Sequence, residues 1–211
     1  MYWLLLIIGG YLLGSIHFCR ILGIIFKHTD IVKVSEDHNP GAANAFWYCG
    51  KPIGIVGLIL DWLKGLIPVL FGILFLDYNH PLFILVMLAP VLGHAFSIIN
   101  HFRGGKCITT IFGELSALLF TGVNPYLIFI LGLGDLFFSY VKKILPGNKR
   151  ALIFFSILIL SSIIICIYMN QITILVGTVG VSLIAIFKHL PIYPDKPSKI
   201  RRKFKKKVAN V

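Results

Sequence analysis

The sequence predicts an all-α polytopic membrane protein with seven transmembrane helices, its N-terminus outside and its C-terminus in the cytoplasm. Three observations carry that prediction. Long apolar runs recur along all 211 residues, which are 57% hydrophobic and 13% charged, with a mean hydropathy of +0.89. Soluble domains average roughly 45–50% apolar and about 25% charged. The runs are continuous, as over residues 158–165, and lack the alternation of a membrane β-barrel strand. Lysine and arginine, finally, gather in alternate loops.

In chain order the apolar segments fall at about 3–26, 52–76, 81–100, 107–121, 125–141, 151–169 and 172–188. Crossing the hydrocarbon takes about 20 residues as a helix, so the fourth, fifth and seventh are short. The run Gly122-Val123-Asn124-Pro125 reads as a turn that separates the fourth from the fifth. The first segment has no basic leader before it and no small-residue cleavage site, which predicts a retained helix. Its Gly10-x-x-x-Gly14 spacing predicts close helix packing within the monomer. Seven spans place loops 27–51, 101–106 and 142–150 and the C-terminal tail on one side. Eighteen of the twenty Lys and Arg lie on that side, counting Lys188 at the very end of the seventh segment, and the other two, Arg20 and Lys64, lie within spans. Basic loops stay in the cytoplasm, which sets the orientation. The chain thus divides into one membrane domain over 1–195 and a basic cytoplasmic tail over 196–211, suited to anionic lipid headgroups or to anchoring the topology.

The same distribution accounts for the net charge of +12 without nucleic acid. The four cysteines, Cys19, Cys49, Cys107 and Cys166, show no metal-ligand spacing and read as small packing residues, so no metal site is expected. Neither an internal repeat nor a soluble second domain is evident.

The residues suited to chemistry all fall on the cytoplasmic side. The loop from Asp30 to Asn44 contains Asn39-Pro40-Gly41, a turn, and small residues that permit close backbone approach. Asn39 and Asn44 can donate to and accept from a polyol or carbonyl. Within the second span, Asp61 and Lys64 stand three apart on one helix face. They either neutralise each other or leave Lys64 to meet a substrate anion. His94 lies in an apolar span just before Arg103-Gly104-Gly105-Lys106. Paired glycines beside two cations at a helix start form a phosphate-binding pattern. The spacing is not that of a Walker A loop, which disfavours nucleotide hydrolysis. No Gly-x-Ser-x-Gly elbow or Cys–His pair stands out. An enzyme of this kind would use an already activated donor, with orientation and charge stabilisation supplying the catalysis.

Together these motifs resemble those of the bacterial acyl-phosphate-dependent glycerol-3-phosphate acyltransferases, the PlsY family. The match runs over about 11–113, through Tyr11-Leu12-Leu13-Gly14-Ser15-Ile16, Asp30-Ile31, Asn39-Pro40-Gly41-Ala42-x-Asn44, Leu60-Asp61-x-x-Lys64-Gly65, Gly93-His94-x-Phe96 and Phe102-x-Gly104-Gly105-Lys106. The resemblance implies transfer of a fatty acyl group from acyl phosphate to the 1-hydroxyl of glycerol 3-phosphate. The product is lysophosphatidic acid, a step towards phospholipid in the bacterial cytoplasmic membrane. It implies no cofactor and no covalent acyl-enzyme. It also implies catalytic roles for Lys106, His94 and His189, and substrate binding by Asn39, Gly41, Asn44, Lys64, Arg103, Gly104 and Gly105.

The chain departs from the family pattern at definite places. Where the family reads Gly-Ser-Gly-Asn, this chain has Ser35-Glu36-Asp37-His38-Asn39, so either Ser35 or Asp37 stands in the serine role. Trp47 occupies the place of a phosphate-contacting arginine, Cys107 that of a loop glycine, and Ile192 that of an asparagine. Two other readings stay open: a relative that kept the fold and binds lipid or a partner without turnover, and a small transporter. Oligomeric state is not legible in the sequence.

Overall fold

A computed structural model describes residues 2–126 and 147–190, and the described residues are helical throughout with connecting loops. In chain order the helices are α1 (Tyr2–Ser15), α2 (Phe18–Lys27), the single turn α3 (Ile31–Val34), α4 (Ala42–Tyr48), α5 (Lys51–Phe75), α6 (Leu82–Ala95), a 3-10 turn (Ile98–Asn100), α7 (Ile108–Phe120), α8 (Gly147–Tyr168) and α9 (Ile172–His189). Five segments are long and apolar enough to cross a membrane: Tyr2–Lys27, Lys51–Phe75, Leu82–Asn100, Gly147–Tyr168 and Ile172–His189. The expected fourth span is α7, with 13 residues. At 1.5 Å per residue it is about 20 Å long, less than the hydrocarbon thickness. The expected fifth span, 125–141, lies almost wholly outside the described residues, as do Ile192 and the basic tail.

The first span is not the continuous helix expected from its hydropathy. It breaks at Ile16 and His17, between α1 and α2. A break inside a membrane frees backbone groups that need partners. Distant side chains supply them: Ser97 Oγ donates to the Ser15 carbonyl (2.7 Å) and Lys64 Nζ to the Ile16 carbonyl (2.7 Å). His17 Nε2 in turn donates to the carbonyl of His94 (3.2 Å).

Close approach of backbones sets the packing. α1 lies on α6 and α5 on α7, while α9 lies against both α8 and α6. A Cβ at Gly14 would stand 2.2 Å from the Pro90 carbonyl oxygen, and one at Gly93 would stand 2.2 Å from that of Tyr11. The α1–α6 contact is therefore reciprocal, with a glycine on each helix. Gly10 faces Pro68 and Ala89 of the same chain, so this small-residue face is used inside the monomer. Gly65 against Thr110 and Gly113 against Trp62 repeat the arrangement between α5 and α7. The core between these helices is apolar, centred on Phe83, Met87, Ile111, Leu115, Phe155 and Leu158.

Candidate functional site at the basic end of the bundle

The helix order brings loops 28–50 and 97–107, the start of α8 and the end of α9 to one end of the bundle. At the opposite end the described loops hold no Lys or Arg. There Asn124 pairs with Gln171 (3.0 Å), and Thr173 donates to the Asn79 carbonyl (2.9 Å).

The glycine loop is built on the carbonyl end of α6. Gly105 N–H donates to the His94 carbonyl (2.9 Å), Lys188 Nζ to the Ala95 carbonyl (3.1 Å) and the Tyr11 hydroxyl to the Phe96 carbonyl (2.8 Å). These contacts satisfy carbonyls that a helix end leaves orphaned. The two glycines are required by space and not by dihedral. A Cβ at Gly104 would lie 2.0 Å from the His94 carbonyl oxygen, and one at Gly105 2.2 Å from His94 Nε2 and 3.0 Å from Asn39 Oδ1. His94 is therefore the floor of the loop. Its ring meets that of His17 edge-on at 5.4 Å, and its Nδ1 is buried without a hydrogen-bond partner among the described residues. Cys107, which caps α7, holds φ of +63°, a left-handed conformation that suits glycine better than cysteine.

Loop 35–44 closes over the glycine loop. Lys106 Nζ lies 2.9 Å from Asp37 Oδ2 and 2.8 Å from Asn148 Oδ1 at the start of α8. Asn44 Nδ2 donates both to Asp37 Oδ1 (2.8 Å) and to the Asn39 carbonyl (2.8 Å). Gly41 opens α4, and its carbonyl accepts from the Asn44 N–H (3.1 Å). Asn39 Oδ1 is a buried acceptor with no partner among the described residues. Burial by itself raises the Asp37 carboxyl, but the Lys106 ammonium and the Asn44 amide overcome it and hold it below the usual carboxylate range. Ser35, the other candidate for the family serine, makes no bond to this cluster: its hydroxyl is buried without a partner among the described residues, and its N–H closes α3 on the Ile31 carbonyl (3.0 Å).

The structure thus gathers Asn39, Gly41, Asn44, His94, Gly104, Gly105 and Lys106. Arg103 stands exposed beside them. His189 reaches the same end of the bundle, buried against Phe155, with Nδ1 donating to the Ala185 carbonyl (2.7 Å). Lys64 is not in the cluster. Its ammonium is enclosed, 2.8 Å from Asp61 Oδ1. Trp47 is exposed on α4.

Four participants were missed in the sequence. Asp37 reads in the sequence only as a serine replacement. Asn148 carries no motif, Lys188 reads only as the basic neighbour of His189, and Arg20 reads as an intramembrane charge. Arg20 in fact clamps Asp30 with two bonds (2.9 and 2.7 Å) and also donates to Asn100 Oδ1, tying α2 to both loops. Spacing alone offers no signal for the first three, whose partners lie 42 to 93 residues away.

Fold and site together define an all-helical integral membrane protein whose polar side chains collect around a glycine–lysine loop at one end. Comparison with known proteins agrees. The glycerol-3-phosphate acyltransferase profile matches residues 4–193, and the chain belongs to that family. A glycerol-3-phosphate acyltransferase of Lacticaseibacillus casei (strain BL23) is 43% identical over 112 residues, covering 51% of this chain and 52% of that protein. One of Maridesulfovibrio salexigens is 36% identical over 133 residues, covering 62% and 66%. The match to L. casei therefore spans about half the length of that relative. Among solved structures, PlsY (YgiH), an integral membrane glycerol 3-phosphate acyltransferase, aligns in its lysophosphatidic acid form with a TM-score of 0.74. That alignment has 24% identity over 90% of this chain and 89% of the other. Its glycerol 3-phosphate form aligns with a TM-score of 0.75 at 22% identity, over 100% and 94%. At that identity these two comparisons establish the fold.

Proposed function

We propose that this chain transfers a fatty acyl group from acyl phosphate to the 1-hydroxyl of glycerol 3-phosphate, giving lysophosphatidic acid for phospholipid synthesis. The observation that carries the reading is the junction of Lys106 and the Gly104-Gly105 loop with Asn39 and Asn44 at the basic end of a family member's helical bundle. An acyl phosphate places its tail among the apolar helices and its phosphate at Lys106. The acceptor hydroxyl attacks the acyl carbonyl, the bond from acyl carbon to phosphate oxygen breaks, and phosphate leaves with the electron pair and takes up the hydroxyl proton, departing as hydrogen phosphate. Asn39 Oδ1 is an acceptor suited to a polyol hydroxyl, and Lys106 stabilises charge on the departing phosphate. Because the donor is already activated, positioning alone supplies much of the rate. Arg103, His94 and His189 complete the set of residues assigned to the reaction, His94 by supporting the loop from beneath.

The same reading has seven spans, with the N-terminus outside and the site facing the cytoplasm of a bacterial inner membrane, where both phosphorylated substrates occur. The basic tail then meets anionic lipid on that face. The test is purified protein with acyl phosphate and glycerol 3-phosphate, compared with Lys106→Ala. Phosphate release and lysophosphatidate should both appear in the wild type and collapse in the variant. A second reading, a relative that binds without turnover, draws on the pairing of Lys106 with Asp37. Absence of product under conditions where a related enzyme works would select it.

A further inference from the structure

Acyl transfer as proposed leaves Asp37 without a task. Its carboxylate is held from both sides, by Lys106 Nζ at 2.9 Å on Oδ2 and by Asn44 Nδ2 at 2.8 Å and the Asn39 N–H at 3.4 Å on Oδ1. Lys106 spends a second proton on Asn148. A carboxylate so fixed is a poor proton acceptor, because protonation would break the ion pair and waste its donors. It is instead a resident anion at the cation of the glycine loop. Both groups keep some access to solvent, with side chains 29% and 21% exposed, so the pair can be opened by a competing anion.

We infer that Asp37 sets the affinity threshold of the Lys106 subsite: as counter-ion of Lys106 it weakens every phosphoryl group there by a common factor, so inorganic phosphate binds poorly while a phosphate that carries an acyl chain still binds. The inference rests on the reading of Lys106 as the phosphate-facing cation. A phosphoryl group reaches that ammonium only by displacing the carboxylate, and it then lies beside a like charge. Inorganic phosphate has nothing to offset that cost. An acyl chain does, since each methylene buried multiplies affinity by roughly fourfold. The phosphate released in turnover is by the same logic a weak competitor, which favours its departure.

The experiment titrates the full-length chain in detergent with inorganic phosphate and with dodecyl phosphate, by calorimetry, for wild type, Asp37→Asn, Asp37→Ser and Asp37→Asn with Lys106→Ala. Both single variants should bind inorganic phosphate roughly fivefold to tenfold more tightly, the scale of a partly exposed ion pair plus a like-charge repulsion. Dodecyl phosphate, which meets the same carboxylate, should gain by the same factor, and Lys106→Ala should erase both gains. Unchanged or weaker phosphate binding in every folded Asp37 variant overturns the inference. So does a roughly hundredfold loss of turnover at unchanged phosphate affinity, which would make Asp37 the base for the acceptor hydroxyl. Binding is read without turnover, so an inert chain showing the affinity pattern keeps this inference and sinks the acyltransferase reading. An active chain with unchanged affinities does the reverse.

Discussion

Lys64 Nζ donates to the carbonyl oxygen of Ile16 at 2.7 Å, at the point where the first membrane segment breaks. The same ammonium lies 2.8 Å from Asp61, and both side chains are essentially inaccessible. Lys64 therefore does two structural jobs at once: it caps a broken helix and neutralises a buried carboxylate. Removing one member of a buried pair strands the other, at a cost of about 3–5 kcal/mol. Lys64→Ala should accordingly lower the thermal midpoint in detergent by many degrees. Lys64→Met combined with Asp61→Leu should recover part of it, with the Ile16 carbonyl and the weakly donating Cys19 thiol losing their partners. A Lys64→Ala protein that melts like wild type but has a raised KM for glycerol 3-phosphate would make Lys64 a substrate contact instead.

That break marks the limit of what hydropathy reveals. A window passing over residues 3–26 sees an unbroken apolar run, because the groups that make a break tolerable, Lys64, His94 and Ser97, lie 48 to 82 residues away. The long helices and the glycine loop are legible because each is encoded locally, by hydrophobic length or by residues small enough for close backbone approach. The turn expected at Asn39-Pro40-Gly41 instead falls just before it, at Glu36 and Asp37, where the His38 N–H donates to the Ser35 carbonyl (3.4 Å). The pairing of Asp37 with Lys106, and the bond from Lys188 to the end of α6, are products of packing. Charge patterning places these residues at one end of the bundle and says nothing of who meets whom.

The contact between Gly105 and His94 predicts a specific double-mutant outcome. A methyl at Gly105 would stand 2.2 Å from Nε2 of the imidazole, so Gly105→Ala must push the loop off its seat or the ring out of its slot. A displacement of about an ångström at a positioning loop costs on the order of a hundredfold in rate. Phosphate release by Gly105→Ala should fall by about that factor. Adding His94→Ala creates the missing room, so the double variant should regain the thermal midpoint lost by Gly105→Ala without regaining activity. Wild-type turnover in Gly105→Ala would show that the loop is not held against His94 during the reaction.

The Arg20–Asp30 clamp predicts a pH dependence of stability. Burial by itself raises the Asp30 carboxyl, but two bonds from Arg20 and the Val32 N–H outweigh it and leave it below its ordinary value. A folded-state pKa below the unfolded one means that the carboxylate's contribution is complete above about pH 4 and fades as pH falls through the lower folded value. Asp30→Asn should cost about 2 kcal/mol at neutral pH, typical of charged hydrogen bonds. Melting curves recorded at successively lower pH should show the gap between wild type and Asp30→Asn closing in that acid window and constant above it. A gap that persists undiminished at the lowest pH would mean that the loop is held by shape and not by this charge.

Cys107 supplies the last test, because its backbone and its side chain make opposite demands. Its φ of +63° is a left-handed conformation costing an L-residue about 1–2 kcal/mol, and a β-branched side chain more. Its thiol is buried against the Val91 and Gly105 carbonyls, contacts that favour keeping some side chain. Replacement by glycine removes the strain and forfeits those contacts, and the two effects are of similar size. Cys107→Gly should therefore fold with a thermal midpoint close to wild type. Cys107→Val keeps volume at the site but worsens the strain, and it should lose about 2 kcal/mol or more. Since the residue caps α7 and adjoins Lys106, that loss should come with a fall in phosphate release. If valine were tolerated as well as glycine, the left-handed turn would not be what fixes the entry of the loop into α7.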